Sequence, residues 1–225
     1  MSKHNIEEIV SHSTLDFERA YGIIQERIPF EERSDIMDFI KTLDDAKAGL
    51  LHPDNYHMLI TTRDSEVLGA ITGYYISEIN CGFVNTLAVR ARYASEGIGT
   101  NLREELIRRF KKDSKKSGKK LNGILGEVEE SNPWLRKIIA NQRVFLFDIA
   151  YIQPPLREKQ AERKLVLYLQ GNRILKRIHR DKVAKIITSI YRNIYDIEVP
   201  DNNLFFRKII KSFENRRYIS KKIIW

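Results

Sequence analysis

Residues 81 to 110 read CGFVNTLAVRARYASEGIGTNLREELIRRF, and this stretch decides the fold. The apolar run from Phe83 to Val89 has the length and composition of a strand buried on both faces. An apolar side chain then recurs every four residues, which predicts an amphipathic helix whose buried stripe consists of Ile98, Leu102, Leu106 and Phe110. The sequence therefore predicts a strand, a tight turn and a helix in direct succession.

Two glycines, Gly97 and Gly99, stand where the turn opens into the helix. Glycine lets the backbone approach a ligand closely, and the N–H groups of a first helical turn have no acceptor inside the helix. Such a junction can hold a phosphate group, helped by the helix dipole. A Gly-x-Gly pair also occurs in tight turns that bind nothing. Both readings stay open for the pair alone.

The segment from Val89 to Gly99 resembles the loop with which GCN5-related N-acetyltransferases (the GNAT family) hold the pyrophosphate of acetyl-CoA. That family's pattern is Val-x-Pro-x-Tyr-Arg-Gly-x-Gly-x-Gly, after a strand and at the start of a helix. Four residues match it: Val89, Tyr93, Gly97 and Gly99. Three depart from it, namely Ala91, Ala94 and Ser95. Ala94 removes a polar side chain from the loop, and Arg90 or Arg92 is a candidate substitute for its charge.

The resemblance covers roughly residues 6 to 170 and implies an α/β (α+β) fold, with a mixed, mostly antiparallel sheet of about seven strands flanked by helices. A hairpin precedes the loop, because two β-branched and aromatic runs, Tyr56 to Thr62 and Val67 to Ile76, flank a polar turn. The other expected strands are Ile6 to Ser11, Leu121 to Glu129 and Arg163 to Gln170. The other expected helices are Ser13 to Ile28, Glu31 to Leu43, and Asn132 to Asn141 with Asn132 as N-cap.

The chain extends beyond a minimal GNAT fold. We expect a GNAT-like acetyl-CoA-binding domain over residues 1–172 and a basic helical extension over residues 173–225, packed on the core. Apolar periodicity marks its two helices, Val183 to Ile194 and Phe206 to Phe213. Residues 151–225 hold 18 Lys or Arg against 7 Asp or Glu, so their net charge is +11, whereas the net charge of the whole chain is +9. Covering an acceptor cleft or forming a homodimer are alternatives for the apolar faces.

The resemblance implies which residues bind the donor. The pantetheine arm would lie along the strand, where a backbone N–H near Leu87 or Ala88 polarises the thioester carbonyl. The pyrophosphate would lie at the turn, and Asn132 matches a further motif of the family. The implied donor-binding set is Leu87, Ala88, Val89, Ala94, Ser95, Glu96, Gly97, Ile98, Gly99, Thr100 and Asn132.

Catalytic residues are harder to assign. Many family members carry a tyrosine that protonates the departing thiolate, but Ile139 stands at that position here and no tyrosine occurs from residue 130 to residue 150. Tyr151 is the nearest substitute, and a packed strand residue is the alternative. Glu127 is the first candidate for the general base and Glu78 the second, whereas an exposed strand residue is the alternative for Glu127.

Three weaker patterns each have two readings. The acids Asp35, Asp38, Asp44 and Asp45 either attract a cationic amine or belong to an ordinary amphipathic helix. His57 is either a base or a structural histidine. The basic segment Lys111 to Lys120 is expected to be a solvated helix end.

The predicted function is acetyl-CoA-dependent N-acetylation of a small-molecule amine, with acceptor and acyl group unspecified. The alternatives are a GNAT-fold acyl-CoA-binding protein with little catalysis, or a nucleic-acid-binding module through the basic helices, although we expect no nucleic acid. Five histidines without ligand spacing and one cysteine, Cys81, predict no metal site and no disulfide. With no membrane-length apolar run and no signal-peptide core, we expect a cytoplasmic protein without membrane contact.

Overall fold

The computed structural model describes residues 5–140, 143–157 and 161–223. The chain forms two compact units: Met1–Ser77 with Gly82–Leu121, and Glu78–Cys81 with Asn122–Trp225. The fold is mixed α/β and contains a seven-stranded, mostly antiparallel sheet flanked by helices, which confirms the predicted class. The predicted division into residues 1–172 and 173–225 stays a prediction.

The first unit contains four strands in the order β1-β2-β3-β4 and three helices. β1 is antiparallel to β2, and β2 to β3. Asp64 and Ser65 both have positive φ at the tip of the β2–β3 hairpin, a conformation that suits the twist of a two-residue turn. The elements are β1 (Asn5–Glu8), α1 (Leu15–Arg27), α2 (Ile36–Lys47), β2 (Asn55–Arg63), β3 (Glu66–Ile76), β4 (Cys81–Val89) and α3 (Ile98–Lys116).

Helices cover both faces of the hairpin, because successive residues of a strand point to opposite sides. Ala70 and Tyr74 of β3 pack with α1 and α2 around Phe17, Ile24 and Phe39. Gly69 and Gly73 lie on the other face, where a Cβ would meet Ile98 or Leu106 of α3. The core of this unit therefore has two layers, and α3 forms one of them.

The second unit contains three strands of the sheet in the order β5-β9-β6, all antiparallel neighbours. Two short ribbons, β7–β8 and β10–β11, accompany them. The elements are β5 (Gly123–Val128), α4 (Pro133–Ile139), β6 (Val144–Leu146), β7 (Ile152–Gln153), β8 (Arg163–Lys164), β9 (Val166–Gly171), β10 (Arg177–His179), α5 (Arg180–Asn193), α6 (Leu204–Lys211) and β11 (Tyr218–Ser220).

The two predicted C-terminal helices are present as α5 and α6, and their apolar faces are buried within this unit. Val183, Ile187 and Ile190 of α5 and Ile209 of α6 are fully shielded from solvent. The Tyr191 hydroxyl donates to the Ile152 carbonyl at 2.6 Å, which ties α5 to the β7 ribbon. The extension is thus part of a packed body.

Several predicted boundaries were wrong. β1 ends at Glu8 rather than Ser11, because after Ile9 donates to the Met58 carbonyl the chain leaves the sheet. The second helix begins at Ile36 rather than Glu31, because Asp35 caps it through a reciprocal capping box with Asp38.

Two predictions about strands also fail in part. The expected strand from Arg163 to Gln170 is split, since the Leu165 N–H bonds to the Tyr151 carbonyl and β8 pairs with β7. β4 is not buried on both faces throughout, because its residues from Val84 to Leu87 are half-buried. Asn141, the expected end of α4, lies outside the described residues.

Helix α3 packs closely against the sheet at two glycines, Gly73 and Gly82. The ring of Phe110 is fully buried and lies against the backbone of β3 and β4. A Cβ on Gly73 would lie 2.8 Å from Phe110 Cζ, and a Cβ on Gly82 would overlap the ring. Any side chain at either position would push the helix away from the strands.

We expect Gly82→Ala to lower the free energy of unfolding by about 1–3 kcal/mol, because the added methyl overpacks the core. Denaturant unfolding measures this, and Phe110→Leu in the same chain should restore part of the loss. Gly22→Ala is the matched control: Gly22 lies in α1 with nothing within 4 Å of its would-be Cβ. That change should stabilise the protein by roughly 0.5–1 kcal/mol. Equal effects of the two substitutions would contradict the packing argument.

Candidate functional site

The predicted donor loop has the geometry of an open helix N-terminus. After β4, residues Ala91–Tyr93 form a short 3-10 turn, and Gly97 caps α3 in the left-handed region with φ of 78°. The first helical hydrogen bond runs from the Asn101 N–H to the Gly97 carbonyl at 3.0 Å. The N–H groups of residues 98–100 therefore have no acceptor within the helix.

The two glycines of the loop serve different purposes. Gly97 has a positive φ and nothing within 4 Å of a would-be Cβ, so its conformation requires glycine whereas its packing does not. A Cβ on Gly99 would make ordinary contact with Val89 Cγ2 at 3.5 Å. Protein packing therefore does not require glycine at residue 99.

Most residues of the predicted donor-binding set are accessible. Ala94, Ser95, Glu96, Gly97 and Thr100 are exposed, and Leu87, Val89 and Gly99 are half-buried. The side chains of Ala88 and Ile98 are buried, so these two residues can offer only backbone atoms. Their assignment to the donor stays a prediction.

The charges beside the loop are paired within the protein. Arg90 lies 3.3 Å from Glu26, and Arg92 pairs with Glu66. The guanidinium groups proposed to replace the missing charge at residue 94 are therefore already matched by carboxylates. The hydrogen bond from the Tyr93 hydroxyl outweighs desolvation and, together with Arg92, lowers the pKa of Glu66.

Arg63 is a loop contact that the sequence did not reveal. It lies at the end of β2, pairs with Glu96 at 2.9 Å and stacks its guanidinium over the Tyr93 ring at 4.8 Å. The hairpin prediction places residue 63 at the turn, so the location of Arg63 was predictable. Nothing in the sequence indicates that its partner is Glu96, 33 positions away.

Glu127, the first candidate base, sits in a largely buried group of tyrosines in the second unit. Its Oε1 accepts a hydrogen bond from the Tyr195 hydroxyl. Its Oε2 is buried without a hydrogen-bond partner among the described residues. Burial raises the pKa of Glu127, and the hydroxyls of Tyr195 and Tyr151 and the charge of Arg163 only partly offset that rise.

Tyr151 is only 1% exposed, and its hydroxyl lies beside Glu127 but meets the geometric criterion for a hydrogen bond with no described residue. Burial first, and then the negative charge of Glu127, raise the pKa of Tyr151 far above the ordinary value. The group therefore stays protonated near neutral pH. The structure thus brings two of the three predicted catalytic residues into one electrostatic environment.

Glu78, the second candidate base, has different partners. It lies in the turn after β3, accepts a hydrogen bond from the Ser189 hydroxyl at 2.9 Å and pairs with Lys185 at 3.5 Å. Both partners belong to α5. These contacts give Glu78 a role in holding that helix, and they involve none of the tyrosines around Glu127.

The region of the missing family tyrosine is apolar. Ile139 packs against the buried cluster that contains Val128, Leu135 and Leu146, so the side chain at this position cannot donate a proton. Asn132 is the N-cap of α4, as predicted, and its side chain accepts from the Trp134 N–H at 2.9 Å. A donor-binding role for Asn132 stays a prediction.

A second buried ionisable group lies in the first unit, around His57. His57 Nδ1 lies 2.5 Å from Glu8 Oε1, and Nε2 lies 2.7 Å from Asp113 Oδ2. Arg109 contacts the other oxygen of Glu8 at 2.6 Å. These residues border a cleft of about 320 Å³ between the end of β1 and the last turns of α3. His57 is thus a structural histidine with two carboxylate partners.

This cluster corrects the interpretation of the basic segment Lys111 to Lys120. α3 continues to Lys116, and Asp113 and Ser114 are buried rather than solvated. The helical stripe that contains Phe110 explains why, since residues three and four positions later return to the same face. The acids of the N-terminal region are likewise used locally: Asp35 and Asp38 cap α2, Asp45 pairs with Lys41, and Asp44 with His12.

Many cations of the C-terminal segment have protein partners. Arg216 pairs with Asp148, Lys208 with Glu162 and Lys222 with Glu130. Over the described ranges, no helix has the length and apolarity to cross a membrane. Among these same residues, no group of three or more His, Cys, Asp or Glu side chains has an arrangement that could hold a metal ion.

Comparison with known proteins assigns the family. Residues 16–136 match the family model described as the acetyltransferase (GNAT) family, a span of more than half of the chain. The chain therefore belongs to the GNAT family, as its loop motif predicts. No protein of curated function matches the sequence.

Solved structures share the fold at low sequence identity. An acetyltransferase ascribed to the GNAT family, from Bacteroides thetaiotaomicron, gives a TM-score of 0.63 at 20% identity, over 86% of this chain and 99% of its own. The ribosomal-protein-S18-alanine N-acetyltransferase from Escherichia coli gives 0.54 at 16%, over 75% and 94%. The PaiA N-acetyltransferase from Thermoplasma acidophilum, in complex with coenzyme A, gives 0.50 at 14%, over 75% and 99%.

The His57 cluster predicts a pH-dependent stability. Burial lowers the pKa of His57, but the hydrogen bonds and charges of Asp113 and Glu8 outweigh it and raise the pKa above 6.5. The contribution of His57 is therefore complete below about pH 6.5 and is lost as pH rises through the raised pKa. Burial raises the pKa of Glu8 and of Asp113, but the hydrogen bond to His57 and nearby positive charges together outweigh burial and lower both pKa values. The contributions of these two carboxylates to stability are therefore lost as pH falls through the lowered values.

We expect His57→Gln to lower the free energy of unfolding by about 3 kcal/mol between roughly pH 5 and pH 6.5, because it leaves two buried carboxylates without their cationic partner. The loss should shrink on either side of that window. Denaturant unfolding over a pH series measures it. His12→Gln removes an exposed pair with Asp44 and should change the free energy by less than about 1 kcal/mol. A loss independent of pH would contradict the ionic role of His57.

Proposed function

We propose that this protein is an N-acetyltransferase that moves an acetyl group from acetyl-CoA to an amine of a small molecule. The observation that carries the proposal is the junction of β4 and α3, where Gly97 in the left-handed region presents an open helix N-terminus. Membership of the GNAT family supports an acyltransferase, and the PaiA structure holds coenzyme A.

The residues at this junction suit a pyrophosphate. The backbone N–H groups of Ile98, Gly99 and Thr100 supply donors, and the dipole of α3 favours negative charge at that end. Glycine at residue 99 leaves no side chain between the start of α3 and the half-buried residues Leu87 and Val89 of β4. The half-buried residues of β4, including Leu87 and Val89, would hold the pantetheine arm.

Bound acetyl-CoA supplies an activated thioester. In the transfer, the acceptor nitrogen forms a bond to the carbonyl carbon, the carbon–sulfur bond breaks, and the nitrogen gives up a proton. We assign that proton to Glu127, received directly or through a water molecule, with Oε2 as the receiving atom because this buried oxygen has no hydrogen-bond partner among the described residues. Burial raises the pKa of Glu127, which brings that pKa closer to the working pH than the pKa of an exposed carboxylate. A general base is most effective when its pKa lies near the working pH.

The second candidate function is binding of an acyl-CoA without transfer, as in a sensor or scaffold. The observation that favours it is the apolar environment of Ile139, which leaves no acid at the position of the family's tyrosine. Thiolate departure without that acid is chemically tolerable, because the ordinary pKa of a thiol is about 8.5. The predictions of a cytoplasmic location, of a small-molecule acceptor and of no nucleic-acid partner await direct tests.

We expect Gly97→Ala to weaken the binding of CoA about tenfold or more, because the free loop would relieve about 1–2 kcal/mol of left-handed strain by leaving the conformation that binds CoA. Isothermal titration with CoA measures the dissociation constant. Gly118→Ala is the matched control, since Gly118 also has positive φ (67°) and nothing within 4 Å but lies at the far end of α3. Equal loss of CoA binding in both variants would mean that strain in the fold, and not the loop, is responsible.

We expect Glu127→Gln to reduce acetyl transfer about 10²–10⁴-fold while CoA binding is retained, since a general base contributes that much. Release of the CoA thiol across a panel of small amines measures transfer. Glu130→Gln, an exposed acid paired with Lys222, should leave transfer unchanged. Tight CoA binding by the wild-type protein with no thiol release from any amine would favour the second candidate function.

A further inference from the structure

The C-terminal segment contributes a residue to the environment of Glu127. α5 ends at Asn193, and Tyr195 follows two positions later. The Tyr195 hydroxyl donates to Glu127 Oε1 across 68 positions of sequence. No family motif covers Tyr195, because it lies beyond the residues that match the family model.

The chain around Tyr195 holds its ring in place. The ring packs edge-on against Tyr191 at 5.6 Å, and Tyr191 packs in the same manner on Phe206 of α6 at 5.4 Å. Asp196 then adopts a positive φ of 53°, and the Ile197 N–H bonds back to the Tyr191 carbonyl at 3.1 Å. Packing on one side and this turn on the other fix the direction in which the hydroxyl points.

The two oxygens of Glu127 are therefore different. Oε1 accepts from a fixed hydroxyl, whereas Oε2 is free of hydrogen bonds from the described residues. A hydroxyl that donates to a carboxylate favours its charged form, and burial opposes it. The other ionisable groups coupled to Glu127 include Tyr151, which precedes β7, Tyr191 of α5 and Arg163 of β8. Arg163 also contacts Glu129 at 2.7 Å, so its charge is shared.

We propose that Tyr195 is the positioning residue for Glu127: its hydroxyl holds Oε1, favours the charged form of the carboxylate and leaves Oε2 to receive the proton of the acceptor amine. This inference rests on the proposed function. It gives the segment after α5 a role in the acetyl transfer. That role differs from the one of the family's tyrosine, whose position is occupied here by Ile139. Tyr195 itself stays protonated, because burial and the charge of Glu127 raise its pKa.

The variant Tyr195→Phe removes the hydroxyl and keeps the ring, so the packing on Tyr191 is retained. We expect transfer at neutral pH to fall about tenfold and to recover as pH rises. The acid limb of the pH–kcat profile should move to higher pH, because Glu127 loses the donor that stabilises its charge. A purely structural tyrosine would change the amount of folded enzyme without moving the profile.

A direct titration of Glu127 keeps the inference testable without any acceptor. The probe is the ¹³C carboxyl resonance of glutamate, assigned with Glu127→Gln and followed over pH in the wild-type and Tyr195→Phe proteins. The midpoint for Glu127 should rise in Tyr195→Phe. Ser189→Ala is the matched control: it removes a hydroxyl of α5 that donates to a different carboxylate, Glu78, and should leave the midpoint of Glu127 unchanged.

The outcomes separate the two proposals. An unchanged midpoint and an unchanged pH profile in folded Tyr195→Phe would overturn the role of Tyr195 and leave the proposed transfer intact. A raised midpoint with transfer that falls at neutral pH supports both. If the wild-type protein transfers acetyl to no amine, the proposed function fails. A raised midpoint in Tyr195→Phe would then still establish that Tyr195 sets the ionisation of Glu127. The assignment of Glu127 as the group that receives the proton would be overturned.

Discussion

The close packing of the Phe110 ring on the backbone of β3 and β4 is the constraint on which the predicted donor loop depends. Gly73 and Gly82 lack the side chains that would hold the ring away, so α3 lies directly on the strands. At the N-terminal end of the same helix, Ile98 comes within 3.2 Å of the Cβ position of Gly69. The position of the loop therefore follows from contacts that sequence periodicity alone does not show.

The last turns of α3 are held by charge rather than by apolar packing. Asp113 faces inward and meets His57, which also meets Glu8. A buried histidine between two carboxylates is stable only when the proton and both partners are present, since removing one of them leaves an uncompensated charge. The helix is thus anchored by glycine contacts towards its start and middle and by a buried ionic cluster towards its end.

Local features were predictable from the sequence, and distant contacts were not. The order of strand, turn and helix around Gly97 follows from neighbouring residues, as do the β2–β3 hairpin and the cap of α4 at Asn132. The predicted start of α2 was wrong because the capping box at Asp35, rather than the preceding apolar pattern, determines where the helix begins. Tyr195 lies 68 positions from Glu127, and Asp113 and Glu8 lie 56 and 49 positions from His57, and no spacing rule connects these residues. The inward direction of Asp113 was within reach, since the stripe that ends at Phe110 continues through it.

The three anchors of α3 have a consequence for the kinetics of ligand capture. A helix of 19 residues is about 28 Å long, and this one is fixed to the sheet near both ends. Its first-turn N–H groups are therefore preorganised, and an anion that reaches them does not have to order the backbone first. Little conformational entropy is lost on binding, so association should be limited by diffusion and orientation rather than by a slow folding of the loop.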